Sequence, residues 1–371
     1  MKNIERPYLL LTPGPLTTSK SVKYEMMNDW CTWDLEYKNL VQSIRTKITQ
    51  IATKNTSDYT TVLMQGSGTF AVEATLGSCI NSDDTVLIVV NGEYGKRMVE
   101  IAKRMRINHE VLVFDEIEIP KLSEIEEALQ KNLEISHIVM VHNETTTGIL
   151  NPAKEVGALA KKYDKIYILD AMSSFGGIEM DCDMFHIDFL ISSANKALQG
   201  VPGFAFVVAK IQELEKCEGV SRSLSLDLFD QWAVMENQKG KFRFTSPTHS
   251  IKAFAKALEE FEAEGGVQGR YKRYKNNQEK LASGMQRLGF TPLLCDSVQS
   301  PIITSFYYPE ESGFVFEKFY YLLKEWGFVI YPGKISKHNT FRIGNIGEVY
   351  EEDIEELLVG IERSMYWRNN A

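Results

Sequence analysis

An aspartate and a lysine stand where two apolar runs of this sequence end, and that placement suits covalent chemistry. Asp170 closes the run Lys165–Asp170, and Lys196 closes the run Ile191–Lys196. In a parallel sheet the carboxyl ends of the strands border the ligand crevice, so we expect both side chains to face one small molecule. A carboxylate and an amine in such a crevice can hold a ring nitrogen and an aldehyde of the same compound.

Pyridoxal 5'-phosphate is the cofactor that requires this pair of groups. A lysine holds its aldehyde as a Schiff base, and a carboxylate keeps the ring nitrogen protonated, which makes the ring an electron sink. The competing interpretation is a buried ion pair between Lys196 and Asp170 that serves only structure. The neighbouring motifs favour the cofactor.

A glycine-bearing turn follows one predicted strand and opens a predicted helix. The segment Gln65–Thr69 reads Gln-Gly-Ser-Gly-Thr. Backbone N–H groups around Gly68 at the helix start, together with the hydroxyls of Ser67 and Thr69, predict an anion pocket that suits a phosphate monoester. A turn that serves only chain reversal and helix capping is the alternative. The turn lacks the P-loop lysine and the complete dinucleotide fingerprint, so nucleotide binding is disfavoured.

Two further loops are expected to reach the same crevice. Tyr94, in the loop Asn91–Gly95, directly follows a predicted strand. Its ring is expected to lie flat against an aromatic cofactor, although simple packing is the usual state of a loop tyrosine. In Asn143–Gly148, short polar side chains predict hydrogen bonds to a cofactor hydroxyl or a substrate, and a threonine-rich turn is the other interpretation.

The elements that must position these residues alternate along the chain. From about residue 61 to residue 210, short β-branched runs alternate with amphipathic stretches, which predicts strand–helix units around a mostly parallel sheet. The predicted strands are Thr61–Met64, Thr85–Val90, Glu110–Phe114, His137–Val141, Lys165–Leu169, Phe189–Ser192 and Phe204–Val208. The predicted helices are Thr69–Ile80, Gly95–Met105, Ser123–Asn132, Ala153–Tyr163, Asp230–Gln238 and Ser250–Glu264. The basic segment Arg270–Lys275 is predicted to be the solvated face of the next helix.

The pattern changes towards the C-terminus, where mixed strands and helices predict a smaller α+β domain. Its predicted elements are Ile302–Tyr308, Phe314–Glu325, Phe328–Tyr331, Thr340–Gly344 and Glu351–Trp367. We therefore divide the chain into an N-terminal segment (1–20) that packs with the small domain, a large domain (21–265) and a small C-terminal domain (266–371). The predicted fold class is α/β, with a mostly parallel seven-stranded sheet in the large domain.

Composition excludes several classes of protein. The 371 residues include 44% hydrophobic and 25% charged residues, which is typical of a soluble protein. The net charge of -9 argues against nucleic-acid binding. Five scattered cysteines without C-x-x-C and six histidines without H-E-x-x-H predict neither a disulfide framework nor a metal site. With no bilayer-length apolar run and no signal-peptide core at the N-terminus, we expect a cytoplasmic protein that does not enter membranes.

The motifs together resemble the class V aminotransferases of fold type I, which depend on pyridoxal phosphate. Within that class they look like the 2-aminoethylphosphonate:pyruvate transaminases, and the resemblance runs along essentially the whole chain. The segments that carry it are Leu9–Leu16, Asp29–Asp34, Asp170–Gly177, Ser192–Gly203 and Thr340–Gly347. The Thr-Pro-Gly-Pro start is common to the class, whereas Asp-Trp-Cys-x-Trp-Asp and Phe-Arg-Ile-Gly-Asn-Ile-Gly point to this group in particular.

The resemblance implies a role for each matching residue on the cofactor side of the site. Lys196 would link the cofactor and move the proton, and Asp170 would pair with the pyridinium nitrogen. The remaining cofactor residues are Ser67, Gly68 and Thr69 in the phosphate cup, Tyr94 against the ring, Asn143 or Thr147 near the 3-hydroxyl, and Thr245, which would reach the phosphate of the neighbouring subunit in a homodimer.

The resemblance also implies the reaction, which converts 2-aminoethylphosphonate and pyruvate to phosphonoacetaldehyde and L-alanine. Arg342 matches the arginine that grips the acidic group of each substrate, since a planar guanidinium can take two oxygens at once. Taken alone, Arg342 reads as an exposed strand arginine. The alternative within the class is another transaminase, acting on serine or alanine with glyoxylate or pyruvate. A desulfurase or lyase that uses Cys31 or Cys79 is disfavoured, because neither cysteine lies in a flexible glycine-rich loop. A non-catalytic protein that keeps the fold would require the loss of Lys196 or Asp170, and both are present.

Overall fold

Strands and helices alternate through most of the chain. The computed structural model describes residues 8–311, 313–333, 335 and 337–368. The strands are β1 (Leu9–Leu10), β2 (Tyr59–Gln65), β3 (Thr85–Val90), β4 (Asn108–Val113), β5 (Ile135–Val141), β6 (Asn143–Glu144), β7 (Ile149–Leu150), β8 (Ile166–Asp170), β9 (Phe189–Ser193), β10 (Phe204–Lys210), β11 (Ile303–Tyr307), β12 (Phe328–Val329), β13 (Tyr331–Pro332) and β14 (Thr340–Gly344). The helices are α1 (Lys20–Tyr24), α2 (Leu35–Ala52), α3 (Gly68–Cys79), α4 (Glu93–Met105), α5 (Leu122–Lys131), α6 (Ala153–Lys162), α7 (Ile211–Glu215), α8 (Leu228–Asn237), α9 (Thr248–Ala263), α10 (Gly266–Arg287), α11 (Phe316–Glu325) and α12 (Glu351–Arg363).

A seven-stranded sheet organises the larger part of the molecule. Its spatial order is β2-β10-β9-β8-β5-β3-β4. The four junctions from β9 to β4 are parallel, and β10 is antiparallel to both of its neighbours. The predicted mostly parallel seven-stranded sheet is therefore confirmed. Because β10 alone reverses direction, the carboxyl ends of the other six strands lie along one edge of the sheet.

The sheet is covered on both faces, which explains the continuous apolar runs in its sequence. Every residue of β9 and nearly every residue of β3, β5 and β10 is buried. Each buried Val, Leu or Ile side chain contributes about 1.5–3 kcal/mol relative to an exposed one. At the edge of the sheet, β4 leaves Val111 and Val113 exposed, since only one neighbouring strand covers it.

A second hydrophobic core forms around the C-terminal elements. The strands β11, β14 and β13 make a three-stranded antiparallel sheet in that order. Aromatic side chains fill its core, and the ring of Phe290 contacts those of Phe319, Phe341 and Trp367 at 5.6–6.2 Å between centroids. The strand predicted at residues 328–331 is split, because β12 pairs with β1 whereas β13 pairs with β14.

The N-terminal segment attaches to this second core. Leu9 pairs with Phe328 in a parallel bridge, and the N–H of Gly344 donates to the carbonyl of Leu11 at 3.0 Å. The domain boundaries at residues 20 and 265 stay predictions. No helix in the part of the chain that the structure describes has the length and apolarity needed to cross a bilayer.

The basic segment of α10 differs from its prediction as a solvated face. Arg270 is 1% exposed and Tyr274 is fully buried. The Nε of Arg270 donates to Glu264 at 2.6 Å, and its Nη1 donates to the carbonyl of Ala197, also at 2.6 Å. Tyr271, Lys272 and Lys275 are exposed as predicted, but the expectation was wrong for Arg270. Glu264 supplies a counter-charge and Ala197 an acceptor, so burial leaves the guanidinium satisfied. These bonds fix the turn that carries Lys196.

Candidate active site

The turn between β2 and α3 presents unused donors at a helix start. Gly66 has a φ of +117°, in the left-handed region, and a side chain there would collide with the ring of Phe70. Ser67 is the N-cap of α3, yet its hydroxyl makes no capping hydrogen bond. The N–H groups of Gly68 and Thr69 open the helix, where no intrahelical acceptor is available. The turn therefore offers several donors to an anion.

A cavity of about 200 Å³ lies at the carboxyl edge of the large sheet. Six predicted site residues line it: Ser67, Gly68, Thr69, Tyr94, Asp170 and Lys196. A wider cleft of about 830 Å³ lies between α10 and the start of α12, but none of the predicted site residues lines it. We assign the site to the smaller cavity, because Asp170 and Lys196 both line it and their charges interact.

Asp170 closes β8 and presents one oxygen to the cavity. Its side chain is 4% exposed, and Oδ1 accepts a hydrogen bond from the N–H of Met172 at 2.9 Å. None of the hydrogen bonds among the described residues uses Oδ2. Burial raises the pKa of Asp170 to about 6, against the lowering effects of the Met172 N–H group and of the charges on Lys196 and Arg97. A cation beside Oδ2 would stabilise the ionised form.

Lys196 lies in the turn after β9, opposite the N-terminal segment. Its Nζ donates to the carbonyl of Pro13 at 2.6 Å. Gly14 leaves the space that the amine occupies, since a Cβ there would collide with Nζ. Burial lowers the pKa of Lys196 to about 8; the charges of Arg342 and Arg97 lower it further, and that of Asp170 raises it. A larger neutral fraction near pH 7 makes this amine a better nucleophile and base.

Tyr94 enters the cavity from the first turn of α4. Its N–H donates to Oε2 of Glu144 at 3.2 Å, which holds the start of the helix. The guanidinium carbon of Arg97 lies 4.9 Å from the centre of the Tyr94 ring. Arg97 also lines the cavity, and its Nη1 donates to the hydroxyl of Thr69 at 3.2 Å. The sequence analysis did not single out Arg97, because an arginine one turn into an amphipathic helix has no distinctive pattern.

Glu144 is a second buried carboxyl near the site that the sequence analysis passed over. It is fully buried in β6, and the Thr146 hydroxyl donates to its Oε1 at 2.9 Å. A Cβ at Gly92 would collide with its side chain, so the two residues pack closely. Burial raises the pKa of Glu144 to about 7, and the charge of Asp170 adds to this, against the hydrogen bonds from Thr146 and the α4 N–H groups. The sequence signal that could have identified Glu144 is its position in a polar turn.

Asn143 and Thr147 do not line the cavity. The Thr147 hydroxyl donates to the carbonyl of Glu144 and accepts from the N–H of Ile149, both at 3.3 Å, and so closes the β6–β7 hairpin. Asn143 donates from Nδ2 to the Ser173 hydroxyl at 2.9 Å, while its buried Oδ1 has no partner among the described residues. The roles of both residues stay predictions.

Arg342 lies in β14 of the small sheet and is not among the residues that line the cavity, although its charge acts on Lys196. It is 4% exposed, so the interpretation as an exposed strand arginine is wrong. Nε donates to the carbonyl of Pro332 at 3.0 Å, and Nη1 donates to that of Thr145 at 2.8 Å. Among the described residues no hydrogen bond uses Nη2. Burial lowers the pKa of Arg342, while Tyr94, Tyr331 and Glu144 raise it. The guanidinium is thus held in place with one nitrogen free.

Thr245 lies outside the cavity of its own chain. It is an exposed residue in the segment that precedes α9. An apolar groove of about 360 Å³ runs beside this segment, and Phe70, Phe242 and Phe244 line it. The rings of Phe70 and Phe244 are about half exposed. The reach of Thr245 into another subunit stays a prediction.

Comparison with known proteins decides the family. The family model described as "Aminotransferase class-V" matches residues 26–336, most of the chain. The chain belongs to the class V aminotransferases. Enzymes of this class depend on pyridoxal phosphate, which is the cofactor predicted from the sequence.

Comparison with individual proteins adds detail to the family assignment of this chain. It is 60% identical to a 2-aminoethylphosphonate–pyruvate transaminase of Bacillus cytotoxicus, over 96% of this chain and 97% of that protein. A bifunctional phosphonoacetaldehyde hydrolase/aminoethylphosphonate transaminase of Clostridioides difficile is 56% identical, over 97% of this chain and 56% of the longer protein. The crystal structure of pyridoxamine-pyruvate aminotransferase from Mesorhizobium loti matches with a TM-score of 0.88 at 22% identity, covering 97% of this chain and 92% of that one. The last likeness shows the fold alone.

Proposed function

We propose that this class V aminotransferase converts 2-aminoethylphosphonate and pyruvate to phosphonoacetaldehyde and L-alanine. The observation that carries the proposal is the 60% identity, along nearly the whole chain, to a transaminase of that name. The Clostridioides difficile relative supports it, because its name joins such a transaminase to a hydrolase of phosphonoacetaldehyde, the expected product. The two relatives favour this reaction over that of a serine or alanine transaminase.

Pyridoxal 5'-phosphate fits the groups that line the cavity. The phosphate is held at the start of α3 by Ser67, Gly68 and Thr69, where helix N–H groups and the helix dipole favour an anion. Tyr94 would pack against the ring, and Oδ2 of Asp170 would accept a hydrogen bond from the ring nitrogen. The cofactor supplies an aldehyde that links to amines and a ring that withdraws electrons from the carbon beside the amine.

A hydrogen bond to the 3-hydroxyl of the ring suits Asn143 better than Thr147. The Asn143 Oδ1 is buried without a partner among the described residues, whereas both bonds of the Thr147 hydroxyl belong to the hairpin. A buried acceptor without a donor costs free energy, and a ligand hydroxyl would remove that cost.

Lys196 acts as the base and acid of the reaction. Its amine would take a proton from C1 of 2-aminoethylphosphonate and, once protonated, would give that proton back later in the reaction. A pKa near 8 suits both steps, because the amine can then accept and release a proton at neutral pH. The Pro13 carbonyl gives the displaced amine an acceptor, so the side chain keeps a defined position when it is not linked.

Arg342 binds the anionic group of each substrate in turn. The phosphonate of the donor and the carboxylate of pyruvate both meet its free Nη2, while the carbonyls of Pro332 and Thr145 hold the rest of the guanidinium. Arg342 has no carboxylate partner in the described part of the chain, and a buried arginine of this kind favours anions, because they replace the solvation that burial removed. The contact orients the reacting carbon towards Lys196.

A two-fold homodimer is the proposed working unit, with Thr245 of one subunit at the phosphate of the other. An exposed apolar groove beside Thr245 and close to the start of α3 supports a subunit contact at this place. Sedimentation of the purified protein gives the mass in solution. The proposed dimer would be contradicted if the protein were a monomer in solution and bound the cofactor without associating.

A half-reaction tests the proposed function. Protein loaded with pyridoxal phosphate is mixed with 2-aminoethylphosphonate alone, and we expect the visible absorbance of the bound cofactor to disappear and to return when pyruvate is added. β-Alanine is the matched control, since it carries a carboxylate in place of the phosphonate. No spectral change with the phosphonate but a change with L-serine would favour the alternative transaminase.

A further inference from the structure

Arg97 is a charged residue of the cavity to which the proposed reaction assigns no role. It lies on α4, one turn after Tyr94, and its side chain lines the cavity. Nη1 donates to the Thr69 hydroxyl at 3.2 Å, and the guanidinium carbon lies 4.9 Å from the centre of the Tyr94 ring. These contacts place the charge beside the start of α3.

No carboxylate among the described residues forms an ion pair with Arg97, although its charge acts on both Asp170 and Lys196. Its chain neighbour Lys96 differs in this respect, since Lys96 pairs with Glu93 and with Glu116 at 2.9 Å each. A cation without a counter-ion in a partly enclosed cavity is unfavourable. An anion bound in the cavity would remove that cost.

We propose that Arg97 binds the phosphate group of the cofactor, together with the donors of Ser67, Gly68 and Thr69. The inference rests on the proposed cofactor. The hydrogen bond to Thr69 has a second effect: it occupies a lone pair of the hydroxyl oxygen, so the hydroxyl hydrogen is free to point at the phosphate. The other N–H groups of the planar guanidinium can contact phosphate oxygens directly.

The position of Arg97 favours the cofactor phosphate over the phosphonate of the substrate. Arg97 bonds to the first turn of α3, whereas Arg342 is held by the carbonyls of Thr145 and Pro332. The two cations thus serve two anions, one in the cofactor and one in the substrate. A single anion shared by both would bring their charges together, at a cost that rises in a low-dielectric cavity.

Dissociation constants for pyridoxal phosphate and for pyridoxal, which lacks the phosphate, test the proposal. We expect Arg97→Gln to raise the constant for pyridoxal phosphate about tenfold or more and to leave that for pyridoxal nearly unchanged. Any change in the basicity of Lys196 affects both compounds alike and cancels in their ratio. Arg97→Lys keeps the charge but loses the planar fork of the guanidinium. Its ratio of the two dissociation constants should therefore lie between that of the unaltered protein and that of Arg97→Gln.

Lys96→Gln is the matched control, because it removes the same charge from the same helix outside the cavity. Its two constants should equal those of the unaltered protein. Equal losses for both compounds in Arg97→Gln would overturn the proposal, and so would unchanged constants with a raised KM for 2-aminoethylphosphonate. If Arg97→Gln does not fold, the ratio for Arg97→Lys decides alone. Failure of the unaltered protein to bind pyridoxal phosphate would instead refute the proposed cofactor.

Discussion

The cofactor side and the substrate side of the site are built in different ways. On the cofactor side, Ser67, Tyr94, Asp170 and Lys196 each lie within a few residues of the end of a strand in one sheet. On the substrate side, Arg342 comes from a separate sheet and is held by the carbonyl of Pro332 in the neighbouring strand β13 and by that of Thr145 in the β6–β7 turn. The register of one sheet is enough to assemble the first side. The substrate side depends on how two hydrophobic cores pack against each other. We therefore expect substitutions to change its geometry more readily than that of the cofactor side.

Loss of the covalent residue gives the largest expected effect and isolates the cofactor side. Lys196→Ala removes the only lysine that lines the cavity within the described residues. We expect turnover to fall about 10⁴-fold or more, since residues that take part directly in the chemistry have effects of this size. After reduction with borohydride and denaturation, mass spectrometry should find no attached cofactor. A covalent adduct in this variant would contradict the assignment of Lys196.

The next test removes the negative charge of Asp170 but keeps the shape of the side chain. Asp170→Asn retains an oxygen for the Met172 N–H group, so the loop is expected to keep its conformation. Turnover should fall about a hundredfold or more, because the ring nitrogen loses a preorganised charge partner. The absorbance spectrum of the bound cofactor should shift as well. Turnover equal to that of the unaltered protein would contradict the assignment of Asp170 to the ring nitrogen.

A change on the substrate side should leave the cofactor side intact. Arg342→Lys keeps a positive charge but loses the fork that can contact two oxygens. We expect kcat/KM to fall about tenfold to a hundredfold for both 2-aminoethylphosphonate and pyruvate, corresponding to the loss of charged hydrogen bonds. The dissociation constant of the cofactor should not change. Weaker cofactor binding would show that the two sides are coupled.

Glu144 accepts a hydrogen bond from the Tyr94 N–H on the cofactor side, its charge acts on Arg342 on the substrate side, and its effect should depend on pH. Its pKa is about 7 in the folded protein, raised from 4.5, so the folded state binds the proton more tightly than the unfolded state. The stability it contributes is fully present below pH 4.5 and is lost as the pH rises through 7. Glu144→Gln carries no such proton. From pH 4.5 to pH 8 its free energy of unfolding should therefore gain roughly 3 kcal/mol relative to the unaltered protein.

Urea unfolding of the cofactor-free proteins across this pH range measures the difference. Asp170 and Asp188 also have pKa values raised to about 6, so both proteins should lose stability as the pH rises. Only the difference between them reports on Glu144. A difference that stays constant with pH would mean that folding does not raise the pKa of Glu144.

Local patterns in the chain were sufficient for much of the fold. The seven sheet strands were predicted close to their observed positions, because β-branched runs and polar turns are local signals. The donors at the start of α3 and the strand-end positions of Asp170 and Lys196 followed from the same signals. The split of residues 328–331 between two sheets was missed, since it depends on pairing with β1, which lies more than 300 residues away in the chain.

What the sequence alone determined is which residue types stand at the carboxyl ends of the strands, and hence the expectation of a carboxylate and an amine around one cofactor. What only the tertiary structure decided is which polar side chains turn inward. Glu144 and Arg270 are of types that usually face water, and their burial depends on partners in other elements. The desolvation of a charge is compensated only by groups that folding brings near it, and no local pattern records those groups.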